Sequence, residues 1–380
     1  MSPSAWPLPQ RIIICAGSGG VGKTTTAAGL AISAAASGLR ALVITIDPAR
    51  RLADALEVDG LSDTPQQIDL KLAGELWAAM LEPARVFDRL IARLTPDAQR
   101  RSAILGSRFY RELSTALAGS RELVAMERVL ELADDPRFDL IVLDTPPAQH
   151  ALDFLDAPAR VVALLDGRLI SLFMRAQKFT PFALLRDGST LVLRVLERLA
   201  GGQLFADLAD FLQSFSAVFA GFQARCARVQ ALIRSPATGF LLVTSATEQG
   251  QAQATRFAEY LQSEGYAMVG CVANALTPRP ALAAPGLAAA EVERLQRLAE
   301  VPDALARFTA LWANLWARYS AEQQIVAALG ALEIPVLQMP RLPLREVPRA
   351  DLWAFANVLG SELRRHVVAE RSVGSPAVQA

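Results

Sequence analysis

Lysine is nearly absent from this chain. Among its 38 basic residues only Lys23, Lys71 and Lys178 are lysines; the rest are arginines. The formal net charge is zero, so no nucleic-acid partner is expected. The three cysteines, Cys15, Cys226 and Cys271, are scattered and form no CxxC pair. That spacing offers neither a disulfide framework nor a metal site. Cys15 and Cys271 fall in apolar, strand-like runs where buried, inert thiols are the usual occupants, and a reducing, cytoplasmic location fits. No apolar run approaches the roughly 20 residues needed to span a bilayer. The first residues lack a basic segment followed by an apolar core, so no signal peptide is expected. The chain reads as soluble and not as an integral membrane protein.

Against these absences stands one dense motif, Gly17-Ser18-Gly19-Gly20-Val21-Gly22-Lys23-Thr24-Thr25, directly after the apolar run Ile12–Ala16. It satisfies G-x-x-x-x-G-K-S/T in the required order of strand, glycine loop and helix. The glycines let backbone N–H groups turn inward and approach a polyphosphate. Lys23 then reaches the β- and γ-phosphates, and the Thr24 hydroxyl is placed to ligate Mg²⁺. The Ala-rich stretch from Thr25 to Ser37 forms a helix whose positive end faces the same anion. Two other readings compete. Glycines alone make a tight strand–helix turn, but that leaves Lys23 and Thr24 without a purpose. The stretch also spells G-x-G-x-x-G, with Asp47 near the place of a ribose-binding acid; a dinucleotide site, however, has no use for the Lys-Thr pair.

Residues 1–10 carry three prolines and read as a flexible lead-in. Strand-type runs recur at Arg11–Ala16, Ala41–Ile46, Leu140–Leu143, Gly239–Thr244, Met268–Ala273 and Ile334–Gln338. Several are continuously apolar, as strands buried on both faces of a parallel sheet are. Alternation with helical stretches predicts an α/β fold with a doubly wound, mostly parallel sheet. The intervals at about 70–135 and 151–235 are rich in helix formers. Both are expected to be helical insertions forming a subdomain on a single nucleotide-binding domain over 11–366. Residues 367–380, rich in Ser, Gly, Pro and Ala at their end, are expected to be a mobile tail.

Two carboxylates complete the nucleotide elements. Asp47 ends the second strand and precedes Pro48, so it points into the crevice where such sheets bind ligands. An ordinary turn or cap Asp reads the same way. Beside a phosphate loop Asp47 becomes a candidate for orienting the attacking water or holding Mg²⁺. Leu140–Leu143 followed by Asp144 is the Walker B pattern, whose acid serves Mg²⁺. Thr145–His150 would then be a switch loop sensing the γ-phosphate. His150, one of only two histidines, belongs to that switch or caps the following helix.

Together these elements resemble the deviant-Walker P-loop ATPases, and more narrowly the family of the arsenite-pump ATPase ArsA and the Get-pathway ATPase that targets tail-anchored membrane proteins. The phosphate loop, the Asp47-Pro48-Ala49 switch and the Asp144-Thr145-Pro146 switch match that pattern in order and spacing. Asn274, after a strand, resembles the family's adenine-contacting Asn. Ile334-Pro335 through Pro340-Arg341-Leu342-Pro343 with Glu346-Val347 resembles its last strand and base-enclosing loop. The resemblance implies a Mg²⁺-dependent ATPase working as a nucleotide-gated dimer, a homodimer or a heterodimer with a paralogue, with Asp47 activating water.

The chain departs from that pattern in three places. The second residue of the loop, normally a lysine that reaches the partner's nucleotide, is Ser18. Ala275–Leu282 holds no CxxC, so no zinc is expected. The arsenite-binding cysteines are missing as well. Arg50 and Arg51 follow the first switch; they form an arginine finger in cis or across an interface, or a solvated pair, or the missing charge comes from a partner subunit.

From Leu204 the residues Leu208, Phe211, Phe215, Val218 and Phe222 continue a stripe on one helix face, widened by Phe205 and Phe219. A second apolar segment runs through Leu169–Met174 and Phe179–Phe182. Such stripes pack against each other as core, or line a groove that receives a hydrophobic helix of a client. A nucleotide-binding regulatory or scaffold subunit with little hydrolysis is the alternative to an ATP hydrolase.

Overall fold

Strands in this chain send alternate side chains into two separate cores, as a sheet covered on both faces requires. Ile12, Ile14 and Ala16 enter one core, Ile13 and Cys15 the other. The same alternation divides Leu42 and Ile44 from Ala41 and Val43, and Ile141 and Leu143 from Leu140 and Val142. A computed structural model describes residues 6–47, 50–107, 121–145, 218, 221–280, 302–341 and 349–373.

Eight strands form one sheet: β1 (Ile12–Gly17), β2 (Arg40–Thr45), β3 (Gln66–Ile68), β4 (Glu75–Met80), β5 (Leu140–Asp144), β6 (Thr238–Ser245), β7 (Met268–Leu276) and β8 (Val336–Pro340). Their order is β3-β4-β2-β5-β1-β6-β7-β8. All pairings are parallel except β3 with β4. The doubly wound, mostly parallel α/β sheet expected from the sequence is therefore present.

The helices are α1 (Lys23–Ala36), α2 (Arg51–Leu56), α3 (Pro83–Leu94), α4 (Ala98–Gly106), α5 (Arg121–Ala133), α6 (221–233), α7 (Glu248–Ser263), α8 (Pro302–Leu329) and α9 (Arg349–Val373). Helices α1 and α9 cover one face, through Leu30, Ala31 and Ala34 against Leu352, Phe355 and Leu359. Gly29 allows this approach, since a Cβ there would lie 2.8 Å from the Phe355 ring. Helices α5 to α8 cover the other face with Met126, Val129, Ile233, Leu261 and Leu329.

Three expectations need correction. The interval at about 70–135 is not wholly helical, because it opens with β4, which pairs in parallel with β2. Glu, Leu, Ala and Met are helix formers taken singly; the open edge of β2 decides the outcome. Only beyond Met80 do helices α3 to α5 follow. Residues 6–10 are not a free lead-in, since Trp6 and Leu8 pack against the α1–α9 core. Helix α9 continues through Val373, so residues 367–373 extend a helix where a tail was expected. Of the 151–235 interval, only 218 and 221–235 are described; these hold the end of the apolar stripe, with Val218 and, on α6, Phe222 buried. The remainder of the stripe, Leu169–Met174 and Phe179–Phe182 lie outside the described residues.

No described helix is long and apolar enough to cross a membrane. All three cysteines are buried and unpaired. Burial pushes the Cys226 and Cys271 thiols up to about 12, so at neutral pH both are protonated.

Candidate nucleotide site

The sheet reverses its winding direction around β1. From there the chain first builds the side holding β2, β3, β4 and β5, and then the other side through β6, β7 and β8. The crevice at the carboxyl ends of these strands is where open α/β sheets take ligands. Gly17, Thr45, Asp144, Ser245 and Asn274 all stand at or near those ends.

Gly17 is required by contact. A Cβ there would lie 2.0 Å from the Val243 carbonyl oxygen on β6. Gly20 and Gly22 are required by conformation, with φ of +76° and +92°. Gly22 is the N-cap of α1, so the loop feeds directly into the helix with its first N–H groups turned toward the crevice. Gly19 and Gly20 are exposed at the tip, and Val21 and Thr25 are half-buried. Gly17→Ala is expected to cost about 1–3 kcal/mol by overpacking, read as a shifted midpoint in chemical denaturation. An unchanged midpoint would mean that β1 and β6 do not approach this closely.

Lys23 is only 7% exposed, and its ammonium donates to the Ser18 carbonyl oxygen at 2.7 Å. Burial pulls its pKa below the usual lysine value, an effect opposed chiefly by the charge of Asp144. Asp144 is 2% exposed. Its Oδ2 accepts from the Thr24 hydroxyl at 2.7 Å and from the Thr45 hydroxyl at 2.9 Å. Its Oδ1 is buried with no hydrogen-bond partner. Burial raises the Asp144 pKa, while the two threonine hydrogen bonds and Lys23 pull it back.

Thr45 also accepts the backbone N–H of Asp47 at 3.2 Å, so one hydroxyl joins both sequence-predicted acids. Residue typing gave no hint of Thr45; its only signal is its place at the end of a strand, two residues before Asp47. The Asp47 carboxylate pairs with Arg51 at 3.3 Å, and the Arg51 side chain is 67% exposed. Pro48, Ala49 and residues 146–150, including His150, lie outside the described residues, as does the proposed base-enclosing loop at 342–347.

Asn274 lies within a register shift of β7 between Ala273 and Leu276, with Ala275 at φ +57°. Its Nδ2 donates to the Val21 carbonyl oxygen at 2.8 Å. The asparagine expected at an adenine is thus engaged with the phosphate loop itself. Ser18, likewise, donates its hydroxyl to Gln253 Oε1 on α7, a partner that composition and spacing do not reveal.

The residues present suit a magnesium ion. A hydroxyl and a carboxylate adjoin, and the carboxylate keeps one buried oxygen without a partner. No cluster of three or more His, Cys, Asp or Glu is present among the described residues. Mg²⁺ does not need one, because it is bound through one or two protein oxygens, water and substrate phosphates.

A strand–glycine loop–helix with a buried lysine, backed by a threonine-bound aspartate at the end of a parallel strand, defines a P-loop nucleotide-binding protein. The family model for anion-transporting (ArsA) ATPases matches residues 10–309. The chain belongs to that family. It is 28% identical over 285 residues to the ATPase ARSA1 of Chlamydomonas reinhardtii, covering 70% of this chain and 34% of that protein. It is 31% identical over 147 residues to the ATPase GET3 of Malassezia globosa, covering 39% and 42%. It is 29% identical over 216 residues to the ATPase get3 of Aspergillus terreus, covering 54% and 56%. The chain thus spans roughly a third to just over half the length of these relatives.

Proposed function

We propose that the chain is a Mg²⁺-dependent ATP hydrolase of the ArsA and Get type, acting as an ATP-gated dimer. The observation that carries this reading is the Asp144 carboxylate, bound to Thr24 and Thr45 through one oxygen and unpartnered at the other. Thr24 and Asp144 would hold the metal, which when bound neutralises phosphate charge and so assists phosphoryl transfer. The loop N–H groups and the end of α1 bind the phosphates. Lys23, with three donors, can keep Ser18 and add a phosphate oxygen. Asp47 orients the attacking water and accepts its proton. Because its backbone N–H is tied to the hydroxyl that also binds Asp144, the water-positioning acid and the metal-facing acid keep a set relation.

The dimer is proposed without a zinc clamp, as either a homodimer or a pair with a paralogue. The apolar stripe from Leu204 to Phe215 is the proposed surface for a hydrophobic segment of a client, whereas its continuation at Val218 and Phe222 is buried within the chain. A second reading, a nucleotide-binding regulatory subunit with little turnover, is favoured by one contact. Ser18 is engaged by Gln253 of its own chain.

Calorimetric ATP binding measured beside steady-state phosphate release separates the two. Tight, Mg²⁺-dependent binding with turnover is expected. Binding without turnover in either the isolated chain or its dimer would leave the regulatory reading standing.

A further inference from the structure

Helix α7 begins immediately beyond β6, the neighbour of β1 on the side away from Asp144. Its N-cap is Thr247, whose hydroxyl accepts the Gly250 N–H at 3.1 Å. Gly250 lets the helix seat on the strand end, since a Cβ there would lie 2.5 Å from the Ser245 carbonyl oxygen. Ala254, Ala258 and Leu261 then bury the helix against the sheet. On the other side of the same strand, Gly17 presses on the Val243 carbonyl. Two close backbone contacts therefore fix the distance between the start of the phosphate loop and α7.

Gln253 spans that distance. One turn into α7, it accepts the Ser18 hydroxyl proton at Oε1, while the Ser18 carbonyl oxygen accepts from Lys23 Nζ. The Ser18 residue is thus held twice, by a helix outside the loop and by the loop's own lysine. A loop residue free at its side chain could rotate its carbonyl away and release the ammonium.

We infer that Gln253 is a positioning residue of the phosphate site, acting through Ser18 to set where the Lys23 ammonium meets the nucleotide's β- and γ-phosphates. The inference rests on the nucleotide reading of the site. It assigns Ser18 a role within its own chain, and it gives α7, which carries no phosphate-binding motif, a part in phosphate recognition.

The test is a double-mutant cycle of Ser18→Ala and Gln253→Ala in the full chain. The readouts are ATP, ADP and AMP affinity by calorimetry, with thermal midpoints in parallel. Each single variant is expected to weaken ATP and ADP binding about three- to tenfold, the range for loss of one hydrogen bond. AMP, which lacks the phosphates that Lys23 meets, is expected to be unaffected. The double variant is expected to lose no more than either single one, because one contact is being removed twice. Gln253→Glu, which keeps an acceptor, is expected to bind AMP like wild type and to retain the coupling to Ser18.

Additive losses, or equal losses for AMP and ATP, would overturn the inference in favour of a role in packing α7. So would a lowered midpoint with no change in affinity. If wild type binds ATP and Gln253→Ala binds it equally well, this inference alone fails. If wild type binds no ATP, the nucleotide reading fails with it.

Discussion

Lys23→Ala is expected to weaken ATP binding by about 10- to 100-fold, corresponding to roughly 1.5–3 kcal/mol for a hydrogen bond to a charged group. The expectation rests on where the ammonium sits. It is buried, 2.7 Å from the Ser18 carbonyl, at the first position of a helix with no acidic residue in its first turn. No anionic side chain of that turn competes with an incoming polyphosphate. Burial holds the Lys23 pKa below its usual value, chiefly by desolvation. The charged lysine is the form proposed to bind phosphate, so affinity is expected to be kept on the acid side of that lowered pKa and to fall as pH rises through it. A bound polyphosphate raises the pKa again, so binding on the alkaline side takes up a proton, measurable as a buffer-dependent heat. Lys23→Met, close in volume, separates loss of charge from loss of packing. Should calorimetry find ATP affinity unchanged in both variants, the phosphate loop assignment is wrong.

How much of this site was legible in the residues depends on how local its determinants are. The loop was legible because its demands are local: glycines at positive φ, a lysine at the helix start and a threonine behind it. The strands β1, β2, β5, β6 and β7 were legible because burial on both faces makes them continuously apolar. β4 escaped notice because Glu75–Met80 has helix-forming residues and becomes a strand only by pairing with β2. Thr45, Gln253 and the contact of Asn274 with Val21 were illegible for a different reason. Each depends on a partner brought close by the sheet order, 99 residues away for Thr45 and Asp144, 235 for Ser18 and Gln253, and 253 for Asn274 and Val21. No local pattern encodes such a meeting.

Asp47→Asn is expected to keep ATP bound while slowing hydrolysis by more than about tenfold. A positioned general base contributes about 10²–10⁴ in rate, so tenfold is a cautious threshold. The asparagine is nearly isosteric. It retains the backbone N–H that Thr45 accepts, so the link through Thr45 to Asp144 survives and the metal-facing side of the site keeps its shape. What disappears is the charge proposed to align a water and take its proton. The Arg51 partner is the complication. At 3.3 Å it neutralises part of that charge, but the arginine is two-thirds exposed, and exposed pairs contribute at most about 1 kcal/mol. In this conformation Arg51 turns back to Asp47 of its own chain, an arrangement that suits a solvated pair as well as a finger in cis. It also makes Arg51→Ala informative beside Asp47→Asn. If Arg51 restrains the acid, its removal leaves turnover equal or higher. If it stabilises the transferring phosphoryl group, turnover falls steeply with ATP binding intact. Single-turnover phosphate release, measured at saturating ATP for both variants, reads these outcomes apart from binding. Wild-type turnover in Asp47→Asn would move the water-positioning role to another residue, whatever Arg51 does.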